Sequence, residues 1–293
     1  MRRLFLLLAL LPTLTWAGDI DDFGAWFELG AEKALPRNME IGLGAGLRTH
    51  NNSSLMDRWD VGASFGYKAH KYLKLSAGYN YIHDYNPDEK EWSESCQFNS
   101  DGTRVETFKM RIYKAHQSSR HRFYLDASSS VKLWKWLRIS GRLRYQNTYS
   151  PAKTLERYRY EEKTEYTQKF TGEFDSNGNP VFHYEKEDPE IKHDEWDLKE
   201  KESKTRQVLR SRIKLEVDKK HLDWKPFVSM EFHNNVATGE HMHFDKFRTA
   251  IGTDYKISKQ HSVGLSYVFT LDRMYDPFPQ NMHALSASYS FDF

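Results

Sequence analysis

Residues 283–293 read HALSASYSFDF, with Leu285, Ala287, Tyr289, Phe291 and Phe293 at alternate positions and Ser286, Ser288, Ser290 and Asp292 between them. Successive side chains of a strand point to opposite faces, so this stretch has one apolar, aromatic face and one polar face. Aromatics on a fraying soluble terminus gain little. The pattern therefore asks for a held strand whose apolar face is covered by something other than water.

The same alternation recurs along the chain. Ile41, Leu43, Ala45 and Leu47 oppose Gly42, Gly44, Gly46 and Arg48, and Trp59, Val61, Ala63, Phe65 and Tyr67 oppose Asp60, Gly62, Ser64, Gly66 and Lys68. Leu73, Leu75, Ala77, Tyr79 and Tyr81 form a third such face. Further on, the polar faces become charged: Arg122 and Asp126 lie opposite Phe123 and Leu125, and Arg138, Arg142 and Arg144 lie opposite Leu137, Ile139 and Leu143. Leu209, Ile213 and Leu215 oppose Arg210, Arg212 and Lys214, and Phe247 and Ile251 oppose Arg248 and Gly252. These segments run to about 9 to 13 residues, longer than the roughly five or six usual in soluble sandwiches and long enough to cross a bilayer at a tilt.

The other end of the chain is consistent with export. MRRLFLLLALLPTLTWAG places Arg2 and Arg3 before an apolar run from Leu4 to Leu14, with small Ala17 in a cleavage position. This is the layout of a signal peptide over residues 1–17, and the run is shorter than the roughly 20 residues of a spanning helix. Beyond Ala17 no stretch approaches 18 apolar residues, and mean hydropathy is -0.79. A membrane span must then be built of strands. In lipid only a closed barrel satisfies every backbone group of a sheet. The expected fold is all-β, an antiparallel transmembrane β-barrel in the bacterial outer membrane. A single domain over 18–293 is expected, with short periplasmic turns and long extracellular loops at about 85–120 and 149–206.

Charge and cysteine content narrow the function classes. The formal charge of +2 vanishes once the two arginines of the signal are removed, which gives no long-range attraction to nucleic acid. Cys96 is the single cysteine, which rules out an intramolecular disulfide. No glycine-rich phosphate loop is present, and no cofactor is implied.

Connections alternate between short ones, near 68–72, 132–136, 218–223 and 256–260, and longer ones, near 48–58, 85–120, 149–206, 234–245 and 272–281. Strands counted from Arg37 number ten, with both ends of the set on the short-turn side. The extended segment GAWFELGAEKAL adds an eleventh and breaks the even count of bacterial barrels. Two resolutions are open: residues 24–33 pair unconventionally, or a further strand makes twelve. The long connections carry order of their own. VETFKMRIY at 105–113 alternates, and Asn177 to Pro180 marks a turn between two strands. Glu185 to Arg206, dense in Glu, Asp and Lys, reads as a solvated, salt-bridged loop.

The final aromatics Tyr289, Phe291 and Phe293 resemble the C-terminal signal that the barrel assembly machinery recognises. Trp26, GYKAHKYLKLSAGYNY, RSRIKLEV, KPFVSMEFHNN and FDKFRTAIGTDYKISKQHSVGLSYVF together resemble an uncharacterised family of bacterial outer-membrane β-barrels, a domain of unknown function. The resemblance implies a barrel and an outer-membrane location, and lends no catalytic residue.

Site candidates follow from the inward charges. Arg122, Asp126, Arg138, Arg142, Arg144, Arg212, Lys214 and Arg248 would line a narrow lumen and favour anions. The arginines and Lys214 among them would otherwise pair with Glu28, Glu40, Asp60, Asp126, Glu216, Glu231, Asp254 and Asp292 and fill it. His241 and His243, with Glu240 and Asp245, make a sparse metal pattern, because a site needs three or four ligands in defined geometry. His233 and His283 lack a readable Ser and acidic partner for nucleophilic chemistry. The first reading is a passive pore for small hydrophilic, anionic solutes. The second is a non-conducting structural or surface-binding barrel, and the third a lipid-modifying barrel enzyme. Expected partners are outer-membrane lipid, lipopolysaccharide, the barrel assembly machinery and small solutes.

Overall fold

In a computed structural model, the described residues are 22–293 without 101, 220–221, 237–240 and 273–279. The expected signal peptide lies outside them. The first eight strands are β1 (Asp22–Leu35), β2 (Met39–His50), β3 (Leu55–His70), β4 (Leu73–Asn86), β5 (Glu89–Phe98), β6 (Arg104–Tyr113), β7 (His116–Trp134) and β8 (Leu137–Ser150). They are followed by β9 (Lys153–Phe174), β10 (Pro180–Lys186), β11 (Glu190–Lys201), β12 (Lys204–Val217), β13 (Trp224–Asn235), β14 (His243–Lys256), β15 (His261–Asp272) and β16 (Gln280–Asp292).

Eleven of these close into a barrel in the order β1-β16-β15-β14-β13-β12-β8-β7-β4-β3-β2. The count is neither ten nor twelve. The ten strands reckoned from Arg37 are all present, and the segment before them pairs unconventionally. β1 runs parallel to β16, in register from Asp22 opposite Met282 to Glu32 opposite Asp292. The reason is parity: ten up-and-down strands start and finish at one end, so an eleventh joined to β2 by a tight turn must run with β16. Arg37 and Asn38 make that turn with φ of 60° and 61°, the left-handed conformation that asparagine tolerates well. The amide of Phe293 then donates to the Glu32 carbonyl at 2.9 Å, extending the seam to the last residue.

Barrel strands hold 12 to 19 residues, enough to cross a hydrocarbon layer even when tilted. Their outward faces are apolar and uncovered: Leu43 is 68% exposed, Leu125 62% and Ile213 56%. Aromatics flank this aliphatic band. Toward the short turns, Trp134 stacks on Trp136 at 5.8 Å and Trp224 meets Tyr255 at 4.5 Å. Toward the other end, Tyr79 meets Phe123 and Phe232 meets Phe247, each at 5.0 Å. A lipid-facing band between two aromatic girdles is the exterior of a transmembrane barrel.

The described residues divide into two compact units, one of 85–118 and 151–203 and the other the barrel. The smaller is a five-stranded sheet in which β9, 22 residues long, pairs with β6 along one edge and with β11 and β10 along the other. The strands expected at 105–113 and on both sides of Asn177 are β6, β9 and β10. The run from Glu185 to Arg206 is not simply a solvated loop, because Glu190–Lys201 forms β11. Its charges are matched across the ladder, Asp197 to Arg157 at 2.9 Å and Glu195 to Arg159 at 2.8 Å. Charged residues on both faces hid its alternation.

Candidate functional site: an arginine-rich lumen

The inner face varies around the barrel. On β2 and β3 it is rich in glycine, with Gly42, Gly44, Gly46, Gly62 and Gly66 beside Arg48, Arg58 and Asp60, whereas β7, β8, β12, β13 and β14 carry long charged side chains in greater number. Small residues on one side leave room for long ones reaching across from the other. Gly78 on β4 shows why: a Cβ there would lie 2.3 Å from the Tyr124 ring, so only glycine admits that ring against the wall. Arg144 stacks on Tyr124 at 4.0 Å, and its Nε donates to Asp126 at 2.6 Å.

Glu231 on β13 is the hub of the lumen. It is 4% exposed and accepts from Arg142 at 2.8 Å, from Arg210 through Nε at 3.1 Å, and stands 2.8 Å from Nε2 of His233. Arg248 approaches it at 4.0 Å and donates through Nε to Thr270 at 3.2 Å. Trp26, 5% exposed, lies against two guanidiniums, Arg48 at 4.2 Å and Arg248 at 4.8 Å. Stacked arginines keep their N–H forks free for other acceptors.

Two cavities open inside the wall, of about 480 Å³ and about 290 Å³. Both are bordered by the same five arginines, Arg48, Arg58, Arg122, Arg210 and Arg248, which form a waist between them. The larger cavity is lined by eight arginines and four carboxylates. Its field is therefore positive, and low-dielectric walls focus it.

The sequence candidates fall into three groups. Arg122 and Arg248 belong to the waist, and Arg142, Arg144 and Arg212 line the larger cavity. Asp126 serves Arg144. Arg138 and Lys214 stand near the short-turn end: Arg138 is held, with Lys132, on Asp218, and Lys214 pairs with Asp254 and Glu216 at 2.9 Å each. Lys132, followed by Arg138, holds the Asp218 carboxyl below the usual range against the opposing effect of burial. Arg48, Arg58 and Trp26 were not among the candidates. The signal was present in part, since Arg48 follows Gly42, Gly44 and Gly46 at the same parity, but Arg58 precedes the recognisable strand.

The histidines separate. His233 faces inward at 9% exposure, whereas His283 lies on the exposed side with the Tyr267 hydroxyl and Phe269. A wall of backbone divides them. His243 pairs with Asp245 at 3.2 Å, and Glu240 lies outside the described residues. Among the described residues no group of three or more His, Cys, Asp or Glu could hold a metal ion.

A closed sheet with a lipid-facing belt and a charged interior defines a transmembrane β-barrel of the outer-membrane class. Over residues 23–274 the chain matches the family described as Protein of unknown function (DUF2490), and it belongs to that family. No curated protein matches. Among solved structures it is similar to the translocator domain of the autotransporter NalP from Neisseria meningitidis, at 10% identity and a TM-score of 0.29 over 96% of this chain and 91% of that one.

Proposed function

We propose that this chain is an outer-membrane barrel that passively conducts small anionic solutes through a narrow lumen. The observation that carries this is the waist of five arginines between two cavities, with eight arginines against four carboxylates in the larger one. A channel lined by fixed guanidiniums attracts anions and raises the barrier for cations. In this reading residues 1–17 are removed on export, 18–293 form the mature barrel, and the short turns lie in the periplasm. The segments at about 85–120 and 149–206 then lie outside, where lipopolysaccharide is the neighbouring surface. Tyr289, Phe291 and Phe293 serve recognition by the assembly machinery, with Phe291 and Phe293 in edge contact at 4.4 Å.

A second reading, a non-conducting barrel that presents its five-stranded sheet to partners, draws on the ion pairs that converge on Glu231 and fill part of the lumen. Planar-bilayer recording of the detergent-folded protein under a potassium chloride gradient distinguishes the two. Discrete steps whose reversal potential reports chloride preference, reduced in Arg212→Gln, support the pore. Silence from protein with verified barrel structure leaves the second reading.

A further inference from the structure

Three pairs of arginines stand directly opposite one another on neighbouring strands: Arg48 with Arg58, Arg142 with Arg212, and Arg144 with Arg210. Like charges in opposed positions destabilise a sheet, yet all six border the larger cavity. A network serving packing alone would set a carboxylate against each. Asp126 answers Arg144, and Glu231 answers Arg142 and Arg210. Arg48 reaches Glu28 only at 3.8 Å. Among the described residues Arg58, Arg122 and Arg212 have no carboxylate within ion-pair distance, although Asp57 and Asp60 flank Arg58 in sequence.

Donors are left over as well as charge. Nε of Arg58 and Nε of Arg142 are buried without an acceptor, and Arg122 gives its Nε to Thr148 at 3.2 Å. Buried polar groups in folded proteins are nearly always hydrogen-bonded, and an unmade bond to a charged donor is costly. Guanidinium forks present paired N–H groups that match the paired oxygens of a tetrahedral oxyanion, a two-point match that a single chloride ion does not offer. The cavity faces the lumen, so its occupant arrives as a dissolved solute.

We infer that the waist is a binding site for a doubly charged tetrahedral oxyanion, the phosphoryl group of a small soluble solute, held by Arg58 and Arg122. This deepens the pore reading and rests on it for the route of access, though binding itself is measurable without conduction. Inorganic phosphate is the probe. Its effect is read in two ways on detergent-folded protein: the thermal unfolding midpoint in phospholipid-free micelles, and chloride conductance in a planar bilayer.

Phosphate is expected to raise the midpoint and to reduce chloride conductance in a saturable manner. In Arg58→Gln and Arg122→Gln the apparent affinity should fall about tenfold, as for loss of a charged hydrogen-bond donor. Neither substitution strips a carboxylate of a close ion-pair partner, so both variants should retain heat-modifiable gel migration as a check on folding. Phosphatidylglycerol added to the micelles, a monoanionic diester, should leave the midpoint unchanged; a shift equal to that of phosphate would overturn the solute assignment. Chloride conductance indifferent to phosphate, with no shift of the midpoint, sinks the site and leaves the pore standing. Phosphate stabilisation in a silent barrel upholds the site and sinks the pore, and equal phosphate affinity in wild type and both variants overturns the assignment of the arginines.

Discussion

Glu231 and Arg212 sit within one lumen and have opposite roles. Glu231 collects two arginines at hydrogen-bond distance, a third at 4.0 Å and His233, so removing its charge strands several buried cations at once. Breaking a buried ion pair by deleting one partner costs about 3 to 5 kcal/mol. Glu231→Gln is therefore expected to lower barrel stability by about that amount, measured as the urea midpoint of the tryptophan signal in micelles. Arg212→Gln removes a charge with no ion-pair partner from beside Arg142, and its midpoint should stay at or above that of wild type. A Glu231→Gln midpoint equal to wild type would show that lumen water, not the carboxylate, compensates these arginines.

At the scale of single elements, the smaller sheet shows how a charged sequence makes a strand. β11 has few apolar residues, and its register against β9 is set by pairs such as Asp197 with Arg157 and Arg159 and Glu195 with Arg159. The hydrogen bond from Arg157 is the main influence holding the Asp197 carboxyl below its ordinary range, and the Arg157 guanidinium is correspondingly raised. A carboxyl with a lowered folded pKa contributes stability that is complete above its unfolded value of about 3.9 and is lost as pH falls through the folded value. Amide protection factors in β9 and β11 should thus be level from neutral pH to about pH 5 and decline below about pH 4. Asp197→Asn should lessen that decline, most at the residues paired with Arg157; protection independent of pH in the unmodified chain would remove the ion pair as its cause.

The whole molecule carries one chemical handle for orientation. Cys96 is the sole cysteine and is exposed on β5, whose ten residues are all exposed. If β5 lies outside the cell, a membrane-impermeant maleimide should label Cys96 in intact bacteria as fully as in lysed ones. Labelling that requires lysis would invert the proposed topology and place the short turns outside. Closure also acts at this scale. The parallel seam places the start of β1 at the end opposite the end of β16, so the chain enters the barrel wall from the long-connection side.

Alternation along a strand depends only on neighbours in the chain, so the sequence alone determined which residues meet lipid and which face inward, from Leu43 and Leu125 to Arg142 and Arg248. The short turns and three strands of the smaller sheet, β6, β9 and β10, were legible for the same reason, since turn residues and period-two patterns are local. Pairing across strands is not local. That β1 closes against β16 in parallel, that Arg58 faces Arg48, and that one buried carboxylate answers several arginines depended on register and on the width of a closed barrel. β11 escaped notice because its stabilising charges look solvated until β9 supplies their partners. The tertiary structure alone decided the balance of charge in the lumen, because electrostatic energy depends on distance between side chains and the sequence supplies only their number and parity.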